Sequence, residues 1–310
     1  MLKRTMNNPT VIFIVGPTSS GKTEVALGLA RRLDGEIISC DSMQVYKDMD
    51  IITRAPAAER AEDVPAYLAR CVSPEEEYNA ARFAEEAEEA IEDILSRGRI
   101  PVVAGGTGLY VKALVDGIFF SPPKDEGLRE ALKKEAEEKG EVYLHKRLEE
   151  VDPETAADLH PNDVKRIIRA LEVYELTGET IHDKKKETAG IGDKYDCRIF
   201  GMELERVSLY GRINGTVDRM FDEGLVEEVR ELRKKGLSRT AGKALGIKEV
   251  GSYLEGDVGL DEAREELKKK TRRYAKRQLT WFRSDKRVKW INAGRDVTEI
   301  VEDILRYVNE

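Results

Sequence analysis

The first third of the chain alternates short apolar runs with amphipathic segments. Residues 11–15 (VIFIV) form a continuous apolar run, which is typical of a strand buried on both faces of a parallel sheet. Residues 26–33 place apolar side chains at helical spacing, and Gly35 is predicted to end that helix. Two further strands are predicted at 36–41 (EIISCD) and 100–106 (IPVVAGG). This alternation predicts an α/β fold built on a parallel sheet.

The character of the chain changes near residue 121. A proline-rich segment (SPPKDEG) begins there, and the residues after it show charged amphipathic helices but no strand pattern. We therefore predict an all-helical insertion domain at 121–195, within an α/β core formed by 1–120 and 196–310. In the insertion, Asp163 is predicted to cap a helix. In the second part of the core, strands are predicted at 197–204 (CRIFGMEL) and 288–292 (VKWIN), and Asp296 is predicted to begin the last helix.

Composition limits the possible classes of protein. The 310 residues include 52 Lys and Arg against 60 Asp and Glu, which gives a net charge of -8. This balance excludes a uniformly cationic nucleic-acid coat protein, so any polyanion must meet a local basic patch. With 40% hydrophobic and 36% charged residues, the composition is typical of a soluble globular protein. The apolar run at 11–15 is too short for a signal peptide or a bilayer span, so we predict a cytoplasmic protein without membrane contact.

A phosphate-binding motif lies between the first strand and the first helix. Residues 16–23 (GPTSSGKT) fit the pattern GxxxxGK followed by Ser or Thr, in the strand and helix context that this motif requires. Glycines let the backbone wrap an anion, Lys22 adds charge, and the Thr23 hydroxyl can hold Mg²⁺. A nucleoside triphosphate and an allylic diphosphate would both fit. The predicted phosphate-binding residues are Gly16, Pro17, Thr18, Ser19, Ser20, Gly21, Lys22 and Thr23.

Four short motifs follow the phosphate-binding motif along the chain. They are residues 41–46 (DSMQVY), 105–110 (GGTGLY), 160–163 (HPND) and 277–281 (RQLTW). Together the five motifs resemble the tRNA dimethylallyltransferase family of bacterial type, also called tRNA isopentenyltransferases. The resemblance implies a P-loop NTPase-like core. It also implies transfer of a dimethylallyl group from dimethylallyl diphosphate to N6 of the adenosine at position 37 of tRNA, 3′ of the anticodon, with release of diphosphate.

Asp41 is the candidate general base. It stands at the carboxyl end of a predicted strand beside the phosphate-binding motif, where α/β folds bind ligands. A carboxylate there can accept a proton from the adenine amine, which is otherwise a poor nucleophile. Helix capping and Mg²⁺ coordination are alternative roles for this side chain. The resemblance implies catalytic roles for Lys22 and Thr107 as well. The contacts that it implies to the target adenosine come from Asp41, Ser42, Met43, Gln44 and Thr107.

A basic surface for the anticodon stem-loop of tRNA is predicted late in the chain. Residues 264–289 contain twelve Lys or Arg against three acidic residues, a local charge of +9. One face of the predicted helix, with Lys269, Arg273 and Lys276, can follow a phosphate backbone. Another face, with Tyr274, Gln278 and Phe282, is predicted to be core. The resemblance implies further tRNA contacts from Arg129, Lys165, Arg166, Arg169, Lys243 and Lys248, in a protein that we expect to be monomeric.

The chain departs from the family pattern at three places. A family lysine is missing from residues 52–56 (ITRAP), where Arg54 is the nearest base. A family histidine is replaced at 66–67, and the helix segment 212–216 (RINGT) has its next arginine at Arg219. Three alternative functions remain open: a P-loop kinase of a small molecule, an adenylate isopentenyltransferase, and a tRNA-binding protein without catalysis.

Overall fold

The computed structural model describes residues 8–54, 64–118, 125–186 and 188–309. Parts of two predictions lie outside these ranges: residues 121–124 of the proline-rich segment and residues 55–56 of the segment that departs from the family pattern. Among the helices of the described ranges, none combines the length and the hydropathy that a bilayer span requires.

The chain divides into two compact units, a core unit of Met1–Val115 with Ile191–Glu310 and a helical unit of Asp116–Gly190. Both boundaries of the helical unit lie before those predicted for the insertion. The reason is visible at the return point of the chain. Ile191 is buried in the core unit, and a Cβ on Gly192 would lie only 2.8 Å from the carbonyl oxygen of Val115. The residues just after Gly190 therefore belong to the core.

The core unit is built on a parallel sheet that has six strands in the described residues. The strands are β1 (Thr10–Val15), β2 (Gly35–Ser39), β3 (Ala66–Tyr67), β4 (Ile100–Gly105), β5 (Asp196–Glu203) and β6 (Lys289–Asn292). Their order is β3-β2-β4-β1-β5-β6, and every ladder is parallel. Residues 11–15 of the central strand are fully buried. The predicted α/β fold is confirmed, as is each predicted strand, whereas the two-residue strand β3 was not predicted.

Helices cover the sheet and form the whole regular structure of the helical unit in the described residues. A Cβ on Gly28 would lie 2.8 Å from Cγ2 of Val301, so the first and last helices pack closely. In chain order the α-helices are α1 (Lys22–Leu33), α2 (Asp50–Thr53), α3 (Ala80–Ser96), α4 (Gly108–Asp116), α5 (Glu126–Lys139), α6 (Glu141–Val151), α7 (Pro153–Ala157), α8 (Val164–Thr177), α9 (Ile181–Lys186), α10 (Arg206–Asp222), α11 (Leu225–Lys235), α12 (Ile247–Leu254), α13 (Leu260–Ser284) and α14 (Val297–Asn309).

Gly35 does not end the first helix, and that prediction is wrong. Helix α1 stops at Leu33, and Asp34 adopts the left-handed conformation at its C-terminus, with φ of 49°. Gly35 is instead the first residue of β2. A Cβ there would lie 2.6 Å from the carbonyl oxygen of Ile100 on the neighbouring strand. The glycine is therefore required by close strand pairing and not by helix termination.

The helical unit has its own apolar core and a buried ion-pair network. Leu132, Leu144, Leu148, Ile167 and Leu171 belong to this core. Glu172 is fully buried on α8. Its Oε1 accepts hydrogen bonds from the backbone N–H of Asp125 at 2.9 Å and from Nε of Arg129 at 2.7 Å, and its Oε2 pairs with Arg129 and Arg169.

The predicted cap at Asp163 is only partly right. Asp163 is the residue before the first turn of α8, and the backbone N–H of Ile167 bonds to its carbonyl oxygen at 3.0 Å. Its side chain makes no capping hydrogen bond and lies instead 3.5 Å from the guanidinium of Arg166. The Asp163 carboxylate thus forms an ion pair with Arg166 at i, i+3 spacing instead of a capping hydrogen bond.

Glu172 should control the acid stability of the helical unit. Burial raises the pKa of this carboxyl, but the hydrogen bonds from Arg129 and Arg169 outweigh burial and hold the pKa at about 2. The network should therefore stabilise the unit above about pH 4.5 and lose its contribution as the pH falls toward 2. Glu172→Ala removes the buried carboxylate that binds both arginines, which is expected to cost ~3–5 kcal/mol. Hydrogen exchange of the α8 amides, with exposed Glu138→Ala as the control, measures this loss; equal exchange in both variants would contradict it.

Candidate active site

The phosphate-binding loop connects β1 to α1 in a conformation that suits an anion. Gly16, Ser19 and Gly21 have φ of 143°, 62° and 90°. A Cβ on Gly16 would lie 2.8 Å from the carbonyl oxygen of Met202, so only glycine fits there. Gly21 precedes α1 without a side-chain cap, which leaves the first amides of the helix for a ligand. The Ser20 hydroxyl is buried and has no hydrogen-bond partner in the described residues.

Lys22 begins α1 and turns back over the loop. Its ammonium donates a hydrogen bond to the carbonyl oxygen of Pro17 at 2.6 Å. Burial lowers the pKa of Lys22 to about 8, although the carboxylates of Asp41 and Glu24 act in the opposite direction. The ammonium is thus partly desolvated, and the two nearby carboxylates do not fully offset the cost of burying its charge. An anion in the loop would supply that compensation and raise the pKa again.

Asp41 follows β2 and faces the same cleft as Lys22. Its Oδ1 accepts hydrogen bonds from the backbone N–H groups of Met43 at 2.9 Å and Gln44 at 3.4 Å. Its Oδ2 accepts no hydrogen bond from the described residues. Thr107 follows β4, and its Oγ1 accepts a hydrogen bond from the backbone N–H of Ser42 at 3.0 Å. The side chain of Asp41 therefore caps a turn with one oxygen and keeps the other for a ligand.

Gly105 and Gly106 allow the C-terminal ends of β2 and β4 to approach each other and the side of α13 that carries Gln278. A Cβ on Gly105 would lie 2.0 Å from the carbonyl oxygen of Cys40, directly before Asp41. A Cβ on Gly106 would lie 2.2 Å from Nε2 of Gln278 on α13. Both glycines are required by close approach, and the alternative of an ordinary turn glycine does not account for these contacts.

The cleft has a volume of about 1020 Å³ and is bounded on one side by α10. Arg212, Thr216 and Arg219 line it at i, i+4 and i+7 positions of that helix. The hydroxyl of Ser19 donates a hydrogen bond to Oγ1 of Thr216 at 3.4 Å, and Arg219 donates one to the same oxygen at 3.2 Å. Sequence analysis treated this segment only as a departure from a family pattern. The spacing on one helix face was the signal that could have placed it in the site.

Residues near α2 close the cleft from another side. Nε2 of Gln44 donates hydrogen bonds to the carbonyl oxygens of Thr53 at 3.3 Å and Arg54 at 3.4 Å. The Arg54 guanidinium pairs with the carboxylate of Glu223. Gln44, Thr53 and Arg54 all line the cleft, so the arginine nearest to the missing family lysine does lie at the site.

The predicted core face of α13 is confirmed for two of its three residues. Phe282 and Gln278 are buried, whereas Tyr274 is half-buried. Burial raises the pKa of the Tyr274 phenol, and the negative charge of Asp41 raises it further. Tyr274 is therefore near the candidate base. No sequence pattern indicates this proximity.

Comparisons with known proteins agree with the geometry of the site. The family model for IPP transferase matches residues 44–285, and the model for isopentenyl transferase matches residues 9–71. The chain is 48% identical to a tRNA dimethylallyltransferase of Acetivibrio thermocellus over 96% of both chains. It is 47% identical to one of Geobacter sulfurreducens over 91% of both chains. The chain belongs to the tRNA dimethylallyltransferase family.

Solved structures of related proteins share the fold of this chain. The tRNA isopentenylpyrophosphate transferase of Bacillus halodurans is 40% identical, with a TM-score of 0.72 over 98% of this chain and 96% of that chain. A eukaryotic dimethylallyltransferase acting on tRNA is 28% identical, with a TM-score of 0.79 over 97% of this chain and 77% of that chain. The P-loop NTPase-like sheet and the family resemblance are thereby confirmed, and the family is one of prenyltransferases.

The tRNA contacts implied by the family resemblance fall into two structural groups. Lys165 and Arg166 on α8 are exposed, and so are Lys243 and Lys248 around the start of α12. Arg129 and Arg169 instead bind the buried carboxylate of Glu172. The four exposed cations are accessible to a phosphate backbone, whereas the two arginines stabilise the helical unit. Contact of all six with tRNA stays a prediction.

Some basic residues of helix α13 form ion pairs with other parts of the protein. Lys268 pairs with Asp218 at 2.8 Å, and Lys270 pairs with the buried Glu249 at 2.6 Å. The predicted basic face is nevertheless exposed, and its members are Lys269, Arg273 and Lys276. The local charge of +9 therefore overstates the charge that a polyanion would meet on this helix.

Proposed function

We propose that this protein transfers the dimethylallyl group of dimethylallyl diphosphate to N6 of the adenosine at position 37 of tRNA, 3′ of the anticodon. The observation that carries the proposal is that Lys22 and Asp41 line one cleft, close enough for the carboxylate to influence the pKa of the ammonium. The cleft therefore offers a cation and loop amides for a diphosphate beside a carboxylate for a proton.

The reaction breaks one bond, forms another and moves one proton. The bond between C1 of the dimethylallyl group and the diphosphate oxygen breaks, and a bond forms between that carbon and N6. Asp41 accepts the proton that leaves N6. Negative charge accumulates on the departing diphosphate, where Lys22 and the amides at the start of α1 are oriented to receive it. Thr107 holds the Asp41 segment through the N–H of Ser42.

Mg²⁺ is proposed to assist at Thr23. This residue lies in the first turn of α1 and lines the cleft with Asp41. The described residues contain no group of three or more His, Cys, Asp or Glu that could enclose a metal ion. A single hydroxyl suits Mg²⁺, which commonly binds through few protein oxygens together with water and substrate phosphates. When bound, the ion would neutralise charge on the diphosphate.

The acceptor is proposed to be the anticodon stem-loop of tRNA because exposed cations lie on both units. Lys243 and Lys248 lie on the core unit with the basic face of α13, and Lys165 and Arg166 lie on the helical unit. An adenosine in a loop can be unstacked and turned into a pocket at modest cost. The monomeric state and the cytoplasmic location stay predictions.

Incubation with labelled dimethylallyl diphosphate, Mg²⁺ and unmodified tRNA that carries an adenosine 3′ of its anticodon tests the proposal. We expect label in the tRNA and release of diphosphate. Label on AMP alone would identify an adenylate isopentenyltransferase. Transfer of phosphate from ATP to a small molecule would identify a kinase, and tRNA binding without transfer would identify a protein that has lost catalysis.

Binding of inorganic diphosphate should weaken at alkaline pH. The pKa of Lys22 is about 8 in the free protein, and only the charged ammonium attracts the anion. The contribution of Lys22 to affinity should therefore be nearly constant below about pH 7, decline through pH 8, and then fall by up to about tenfold per pH unit. Calorimetric titration at several pH values measures this fall. The matched variant Lys22→Arg stays charged throughout, so an identical decline in that variant would assign the effect to another group.

A further inference from the structure

Gln278 is a buried polar side chain that the proposed reaction does not use. It lies on α13, is 5% exposed, and both of its amide atoms are bonded. Its Oε1 accepts a hydrogen bond from the backbone N–H of Thr18 in the phosphate-binding loop at 2.9 Å. Its Nε2 donates one to the carbonyl oxygen of Gly106 at 2.9 Å. One side chain thus joins the phosphate-binding loop to the segment that carries Thr107.

The two bonds require an amide of this length. One end must accept and the other must donate, so an ionised glutamate lacks the donor and methionine lacks both groups. The backbone at residue 106 approaches Nε2 closely because glycine stands there. A buried amide without partners would be costly, and here neither atom is unsatisfied. An apolar residue would be enough to fill this space. The geometry therefore points to a role that depends on the acceptor and the donor at the two sides of the amide.

The position of Gln278 between the two halves of the site suggests that role. Thr18 belongs to the loop proposed to bind the leaving diphosphate, and Gly106 directly precedes Thr107, which bonds to the segment of Asp41. The side chain emerges from a helix of 25 residues, which is a rigid support. The strands that precede the two segments are already paired, with Val15 opposite Gly105, and Gln278 adds a side-chain connection between the segments beyond the strand ends.

We propose that Gln278 is a positioning residue that holds the phosphate-binding loop in register with the Asp41 and Thr107 segments, so that diphosphate and acceptor base are aligned for transfer. This inference rests on the proposed function. Misalignment of reacting groups by about 1 Å can cost ~10²-fold in rate. Loss of Gln278 should therefore lower kcat far more than it changes the KM of either substrate.

The first measurement is steady-state transfer by the full chain with Gln278→Met, which keeps the length and volume of the side chain. We expect kcat to fall by about 100-fold, with both KM values within about threefold of wild type. The exposed Thr280→Met substitution on the same helix serves as the control. A rise in KM with unchanged kcat, or full activity, would overturn the inference.

The second measurement is the pH profile of Gln278→Glu. A protonated glutamic acid has one donor and one acceptor and can restore both bonds, whereas the carboxylate would face the carbonyl oxygen of Gly106. Burial favours the protonated form. The ratio of variant to wild-type kcat should therefore rise as the pH falls from about 8 to about 6. A purely structural role would lower thermal stability and leave this ratio flat, which would count against positioning.

A double-mutant cycle keeps the test informative if single variants lose stability. Gly106→Ala forces Nε2 of Gln278 away, so it breaks the same connection from the other side. The double variant with Gln278→Met should be no slower than the slower single variant, and additive losses would overturn the inference. Should wild type transfer no label to tRNA, the proposed function fails and this inference fails with it. If the wild type is active but the ratio of Gln278→Glu to wild-type kcat does not change with pH, only this inference is rejected and the proposed function stands.

Discussion

Asp41→Asn should lower the rate of dimethylallyl transfer by ~10²- to 10⁴-fold while the affinity for tRNA changes little. Asparagine keeps an oxygen for the hydrogen bonds from the N–H groups of Met43 and Gln44, so the turn after β2 should persist. It cannot accept the proton from N6. Single-turnover transfer with saturating enzyme measures the chemical step, and a filter-binding assay measures the affinity for tRNA.

Two further variants separate the functions of the Asp41 carboxylate. Asp41→Ala removes both the proton acceptor and the turn contact, so we expect it to be slower than Asp41→Asn. Asp48→Asn is the matched control, since this carboxylate lies on the same segment, is exposed and pairs with Lys235 at 3.0 Å. It should retain wild-type activity. If Asp41→Asn also kept nearly full activity, the side chain would serve only the turn, and another group would have to take the proton.

Lys22→Met should lower the rate of transfer by ~10²- to 10³-fold, because the ammonium stabilises charge that develops on the leaving diphosphate. Methionine retains most of the length of the side chain but loses the hydrogen bond to Pro17 as well as the charge. The effect should appear in kcat and in the affinity for inorganic diphosphate, which steady-state kinetics and calorimetry report separately. Lys47→Met, at an exposed position of a neighbouring segment, is the control. Equal kinetics for the two variants would remove Lys22 from the reaction.

The parts of the site that sequence analysis predicted are those with local signals. The phosphate-binding loop is specified within eight consecutive residues because its glycines and its lysine must follow one another between a strand and a helix. Asp41 was predicted because it directly follows an apolar strand beside the phosphate-binding loop, where α/β folds bind ligands. Thr107 was predicted from the resemblance of residues 105–110 to the family motif. Their placement in the fold follows from hydrophobic periodicity, which is a property of short segments.

The parts that sequence analysis missed depend on contacts between distant segments. Gln278 lies 260 positions from Thr18. The spacing of residues along its helix predicts only that Gln278 is on the inward face. Gly35 was assigned to a helix end because glycine is common there, whereas the contact that requires it is with Ile100 on another strand. Arg129 and Arg169 have the appearance of surface cations, and their pairing with Glu172 depends on how α5 and α8 pack.

The close contact between Val115 and Gly192 has a consequence for how this protein can vary. The chain leaves the sheet-bearing unit and returns to it at the same point, so the intervening segment is attached by a single stem. A segment held in this way can be lengthened, trimmed or exchanged without changing the order of any strand. Insertions, deletions or replacements between Val115 and Gly192 can therefore accumulate while the cleft residues of the core unit keep their place in the fold.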